Sequence, residues 1–229
     1  MMRGTAVAAL LALCACSGAF GERAHEDFHQ AIDSDSAPHV RVSNVAGTVQ
    51  IEPWNKPVVD VSARKYGYDA SELRTIAIDV RRDANVVSIS TEYAGGNHSG
   101  GVRYRVMVPQ AASAFVENVA GSVRLGPIAG DLDVETQAGT IDAQLGLIEG
   151  SRSIDLRATT GTISLGLARD SSARVDASST VGAFSSDISG ISSSSENIVG
   201  SSASGTIGSG AARIVLRTTT GAIRIRAIP

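Results

Sequence analysis

Cysteine is all but missing. The chain holds two, Cys14 and Cys16, both near its beginning. The rest of it can form no disulfide framework and no cysteine-based zinc site. Aromatic residues are scarce too, at 4%, which excludes a core built on large rings. Basic runs are absent and the formal net charge is −3, a poor footprint for a nucleic-acid binder. The one apolar stretch near the start, residues 5–13, is shorter than the roughly 18 residues of a membrane-spanning helix. No Gly-x-Ser-x-Gly elbow, Walker loop or His-Glu-x-x-His is present, so hydrolase, nucleotide and zincin chemistry lack their signatures.

What the chain has instead is a recurring turn. Val45-Ala46-Gly47-Thr48-Val49, Val119-Ala120-Gly121-Ser122-Val123, Gln137-Ala138-Gly139-Thr140-Ile141 and Thr160-Gly161-Thr162-Ile163 share one pattern. Ala203-Ser204-Gly205-Thr206-Ile207 and Thr219-Thr220-Gly221-Ala222-Ile223 extend it. Glycine takes a positive φ at a corner without a Cβ clash, and the Thr, Val or Ile that follows favours extended backbone. After each turn apolar and polar residues alternate, as in Ile163-Ser164-Leu165 and Ile223-Arg224-Ile225, the mark of strands with one buried face.

The glycines recur at intervals of 18, 22, 21 and 23 residues through Gly121, Gly139, Gly161, Gly182 and Gly205. A unit of that length cannot bury its own apolar face, whereas stacked units can. The spacing predicts an all-β chain folded as a β-solenoid or β-roll, with a β-sandwich as the alternative. Serine-rich residues 178–204 keep apolar residues at intervals and are read as a further coil with one loose loop.

The chain begins like an export signal. Met1-Met2-Arg3 is a short basic region, followed by the apolar stretch. Residues 1–21 are expected to be a signal peptide, cleaved after 15, 19 or 21. Leu13-Cys14-Ala15-Cys16 offers a lipidation site at Cys16; small-x-small sites just beyond offer ordinary cleavage. Loss of Arg3 with the signal takes the charge from −3 to −4. Residues 22–37, polar and holding His25 and His29 with His39 nearby, read as a flexible tether, since no pattern around these histidines completes a metal site. Residues 38–229 read as a single β-repeat domain, with 38–114 an irregular capping half and 115–229 the regular half.

Within the capping half, Val40-Arg41-Val42 and Thr48-Val49-Gln50-Ile51 are expected to form a hairpin. Val58 to Ala63 makes a strand, and the segment from Tyr66 to Leu73 a loop or one helical turn. Ile76 to Val80 pairs with Val86 to Ser90, and a strand from Val102 stops at Pro109. Asn97-His98-Ser99 is a chance glycosylation sequon at a loop tip.

Two stretches resemble a known family. Asn44-Val45-Ala46-Gly47-Thr48-Val49-Gln50-Ile51-Glu52-Pro53-Trp54-Asn55 resembles the opening of the bacterial putative adhesin domain family, and residues 205–225 resemble its close. Family members commonly carry Thr-Ser-Gly-Asp-Ile turns; here only Gly130-Asp131-Leu132 keeps the acid. The resemblance covers roughly residues 38 to 228. It implies an exported, β-solenoid-like envelope protein, and no catalytic residues.

Two charged patterns could carry chemistry. Asp131, Asp133 and Glu135 place three carboxylates on one strand face, with Asp142 and Asp155 expected to stack nearby. Such a set could supply an acid–base pair or hold calcium; a solvated outer face is the plainer reading. Arg224-Ile225-Arg226 reads as charges guarding an exposed terminal strand, the alternative being a docking strand. The chain is thus expected to be a non-enzymatic cell-envelope protein that binds an envelope polymer, a protein or a second copy through that strand. It needs no cofactor or metal and meets the membrane only through a lipid anchor. A stress-sensing partner domain and a carbohydrate-active enzyme using the carboxylates are the alternatives.

Overall fold

A computed structural model describes residues 24–95, 100–194 and 200–229. The expected signal peptide, Cys14, Cys16 and the sequon lie outside the described residues. Among the described residues fourteen strands and one helical turn follow one another: β1 (Ala24–Asp33), β2 (His39–Trp54), β3 (Val58–Gly67), α1 (Ala70–Leu73), β4 (Ile76–Asp83), β5 (Val86–Tyr93), β6 (Gly101–Pro109), β7 (Ser113–Leu125), β8 (Leu132–Gly146), β9 (Ser153–Ala168), β10 (Ala173–Val181), β11 (Phe184–Ser186), β12 (Ile191–Ser194), β13 (Ser201–Ile207) and β14 (Ala212–Ile228). They join into one open sheet whose main path runs β1-β3-β6-β2-β7-β8-β9-β14-β10-β13-β12.

The long strands β2, β7, β8, β9 and β14 each cross a corner at a glycine. Gly47, Gly121, Gly139, Gly161 and Gly221 all have positive φ, as does Gly182 between β10 and β11. These strands pair in parallel with their glycines in register, from Gly47 through Gly121 and Gly139 to Gly161 and Gly221. At each corner the carbonyl of one rung faces the glycine of the next. A Cβ on Gly121 would lie 1.8 Å from the Gly47 oxygen, one on Gly139 1.7 Å from that of Gly121, and one on Gly221 1.6 Å from that of Gly161. The corners therefore stack only if every rung is glycine.

Side chains sort around this stack by distance from the glycine. Two residues beyond it, Val49, Val123, Ile141, Ile163 and Ile223 form a buried ladder; five before it, Val42, Val116, Val134, Leu156, Leu216 and Ala177 form another. Both ladders belong to a single apolar core, so the corner folds the two halves of each strand around common contents. Short return segments close each coil and add Ile128 and Ile148 to that core. Three before the glycine the ladder turns polar: Asn44, Asn118, Thr136, Thr218 and Ser179 are buried, with Ala158 among them. The Asn44 amide donates to Asn118 Oδ1 at 2.9 Å, and Thr91 Oγ1 donates to Asn44 Oδ1 at 3.0 Å. Tyr104 Oη lies 2.6 Å from the same threonine hydroxyl, and burial pushes its phenol up to about 12.

Several sequence expectations are corrected. Residues 24–33 are not a tether: β1 pairs antiparallel with β3 over its full length, tucking Phe28 and Ile32 against the core. Residues 40–42 and 48–51 do not form a hairpin, because the chain runs on through the Gly47 corner as one strand, β2. Gly205 is not the next corner after Gly182. It sits in β13, antiparallel to β10, while the C-terminal strand β14 inserts between β9 and β10 and places Gly221 there. Arg224-Ile225-Arg226 is accordingly no exposed edge: β9 flanks it on one side and β11 pairs residues 223–225 on the other. Other expectations match the structure, including the β4–β5 antiparallel pair, the single helical turn and the strand that stops at Pro109.

The corner stack makes a quantitative prediction. Gly139→Ala should destabilise the fold by at least about 3 kcal/mol, combining a backbone clash with a strained φ. Gly150→Ala, where an added Cβ meets nothing within 4 Å, should stay within about 0.5 kcal/mol of the parent. Urea denaturation of the two variants measures both.

Candidate functional site

With the core and corners assigned to folding, chemistry is left to the outward side chains before each corner. There the register makes three rows across β7, β8, β9, β14 and β10. Glu117, Glu135, Arg157, Arg217 and Ser178 form the row four before the corner. Phe115, Asp133, Asp155, Val215 and Asp176 form the next; Ser113, Ser153, Arg213 and Arg174 lie in the outermost, with Asp131 just ahead of β8. Arg41 of β2 stacks on the Phe115 ring, 4.6 Å from its centroid.

Asp131, Asp133 and Asp155 are already engaged. Asp131 Oδ1 accepts the Ser153 amide at 2.8 Å, clamping the start of β9 to the preceding coil. Arg157 lies between the neighbouring carboxylates, donating to Asp133 at 3.3 Å and to Asp155. Arg217 approaches Asp155 from the far side, at 3.6 Å. Asp133 and Glu135 do share one face with Asp155, as the alternation predicts. Asp142 does not: it lies beyond the Gly139 corner, where Gln144 donates to it at 2.5 Å. The expectation that both would stack near this set therefore holds for Asp155 and fails for Asp142, because the corner turns the two halves of β8 onto different faces.

A carboxylate pair for acid–base catalysis needs a space between its members for the substrate bond. Here a guanidinium fills that space. No cluster of three or more His, Cys, Asp or Glu able to hold a metal occurs among the described residues. The three histidines are not brought together: His29 contacts Asp60 at 2.5 Å on the β1–β3 ribbon, while His39 opens β2 beside Ser113 and Val86.

Sequence reasoning missed the basic part of the face. Arg213 and Arg174 are 39 positions apart yet lie opposite one another on adjacent parallel strands. Only the insertion of β14 brings them together, and no local pattern announces it.

Carboxylates across the molecule are shifted in opposite directions. Hydrogen bonds from Arg64 hold Asp27 below its ordinary 3.8, and those from Arg105 hold Glu52 below 4.5. Burial raises Asp133 above 3.8 despite the opposing pull of Arg157. Asp27 and Glu52 thus contribute stability above their unfolded values that is lost as pH falls through their folded ones. Asp133 has the opposite sign: its contribution declines as pH rises from 3.8 through its raised folded value. In an NMR carboxyl titration, Asp27 and Glu52 should titrate below their ordinary values and Asp133 above. Arg157→Met should raise Asp133 further and leave Asp27 unmoved.

Comparison with known proteins adds the family. The chain resembles a solved structure of a putative cell adhesion protein from Clostridium sporogenes, at 10% identity and a TM-score of 0.67 over 90% of this chain and 100% of that one. A putative adhesin from Bacteroides fragilis aligns at 9% identity over 87% of this chain and 97% of its own, with a TM-score of 0.38. At such identities the first likeness establishes the fold alone. No curated protein matches the chain. The model of the Toastrack DUF4097 family matches residues 71–226, well over half of the sequence. The chain therefore belongs to the Toastrack DUF4097 family, whose β-solenoid-like fold its glycine corners build.

Proposed function

We propose that this chain is a non-enzymatic, exported cell-envelope protein that works by binding through the outward face of its stacked strands. One observation carries the reading: three of the carboxylates that could have served as catalysts are occupied, Asp133 and Asp155 by Arg157 and Asp131 by the Ser153 amide. What remains is an extended face of polar and charged rows, suited to contact along a polymer or a partner. The signal-like start of the sequence supports export. Cys16 supports a lipid anchor, and no helix among the described residues is long and apolar enough to cross a membrane.

Paired assays on the full chain test the reading. Cosedimentation with isolated envelope material reports binding, and release of reducing ends from the same material reports turnover. Binding without turnover is the expected result. Turnover abolished by Asp131→Asn or Asp133→Asn would replace binding with catalysis as the function.

A further inference from the structure

The insertion of β14 assembles a second feature on the same face. Arg213 and Arg174 stand opposite one another across β14 and β10, on strands about 4.8 Å apart. Arg217 lies two positions nearer the corner than Val215 on β14. On the other side of β10, β13 sets Thr206, Ser204 and Ser202 opposite Arg174, Asp176 and Ser178. Between them lies an open concavity of about 220 Å³ lined by Asp176, Ser178, Ser202, Ser204, Val215 and Arg217. Its lining is hydroxyl-rich and carries Arg217; the Arg174–Arg213 pair stands one row beyond it, two positions before Asp176 and Val215.

Folding does not explain the arginine pair. Like charges directly opposite each other destabilise a sheet, and both Arg174 and Arg213 are exposed, so neither adds buried area. Neither forms an ion pair among the described residues, in contrast with Arg157 and Arg217, which reach Asp155. Two adjacent guanidinium forks match a carboxylate, which each can hold through paired hydrogen bonds. Serine hydroxyls and the Asp176 carboxylate beside them match the donors and acceptors of sugar hydroxyls.

We infer that this concavity binds an acidic polysaccharide, with sugar carboxylates on Arg174 and Arg213 and ring hydroxyls over Ser178, Ser202, Ser204 and Asp176. The inference rests on the binding reading above and names its ligand class. A single polymer strand suits the site better than an anionic membrane, because Asp133, Asp155 and Glu135 face the same way a few strands along and would repel a charged plane. It also suits it better than nucleic acid, since no aromatic ring lines the concavity for bases to stack on.

Polygalacturonate, which carries a carboxylate on every sugar, is the probe, with dextran as the neutral control and anionic phospholipid vesicles as the competing surface. Binding is measured for the parent chain, for Arg174→Glu/Arg213→Glu, and for Arg224→Glu/Arg226→Glu, which makes the same charge change beyond the corner. Arg174→Gln/Arg213→Gln, which removes the repulsion as well as the charge, guards against misfolding: it should keep the parent's thermal midpoint and lose affinity. The expected result is polygalacturonate binding without dextran binding. It should weaken about tenfold or more in both Arg174/Arg213 variants and hold in the Arg224/Arg226 variant. Equal weakening in the Arg224/Arg226 variant, equal binding to dextran, or binding to vesicles alone would overturn the inference. Failure to bind polygalacturonate by a chain that still cosediments with envelope material would overturn it too, while sparing the binding reading. Failure in both assays would remove both.

Discussion

The structure depends on one contact repeated: a glycine corner whose carbonyl oxygen occupies the place where the next rung's Cβ would be. Weak Cα–H···O contacts of this kind are worth about 0.5–1 kcal/mol each, yet their geometric effect is larger than their energy. They force the strands into strict register, glycine over glycine, so every residue's place before or after the corner decides its fate. The rows at plus two and minus five fill the core with Val, Ile and Leu. Of the rows between them, the one at minus three is buried and polar and the one at minus four faces water. Aromatic residues are nearly dispensable because narrow stacked coils offer aliphatic ladders little room for rings.

The same constraint explains where function can reside. A side chain tied to the corner, the core or a return segment is already used, and Asp131, Asp133 and Asp155, which look catalytic in the sequence, prove to be cross-strand clamps. The C-terminal strand is the exception that creates something new. By entering between β9 and β10 it brings Arg213 beside Arg174 and lays a serine-lined hollow next to them. The buried polar row at minus three marks another departure from simple layering. Asn44 links Asn118 and Thr91, whereas the Asn118 Nδ2 group and the hydroxyls of Thr136 and Thr218 are buried without a protein partner among the described residues.

What the sequence reveals and what it hides divide along the range of the interactions involved. Corners and alternation are local, so Gly121, Gly139 and Gly161 and the rows around them can be read directly. A positive-φ glycine between two short apolar runs serves a hairpin and a solenoid corner alike, which is why residues 40–51 look like a hairpin. Rung order is non-local. Gly205 has the right neighbours for a corner, but β13 runs antiparallel to β10 and the vacant parallel position goes to β14. β1 is hidden for a different reason: as an outer strand it buries only one side, so its apolar residues, Phe28 and Ile32, are too sparse to stand out from a polar linker. On the face, the shared side of Asp133 and Glu135 follows from period two. The Arg157 clamp and the arginine pair come from register between coils, which no single strand encodes.

The order of the rungs is the claim on which the fold and the arginine site both rest, and cross-linking tests it directly. In a chain whose Cys14 and Cys16 are replaced by serine, Thr160→Cys/Thr220→Cys should oxidise readily to a disulfide, since residues 160 and 220 are register partners on adjacent strands within bridging distance. Thr160→Cys/Val181→Cys should not, because β14 lies between β9 and β10. Rapid closure of the second pair, with the first left open, would mean that β10 pairs with β9 and that the C-terminal strand lies elsewhere.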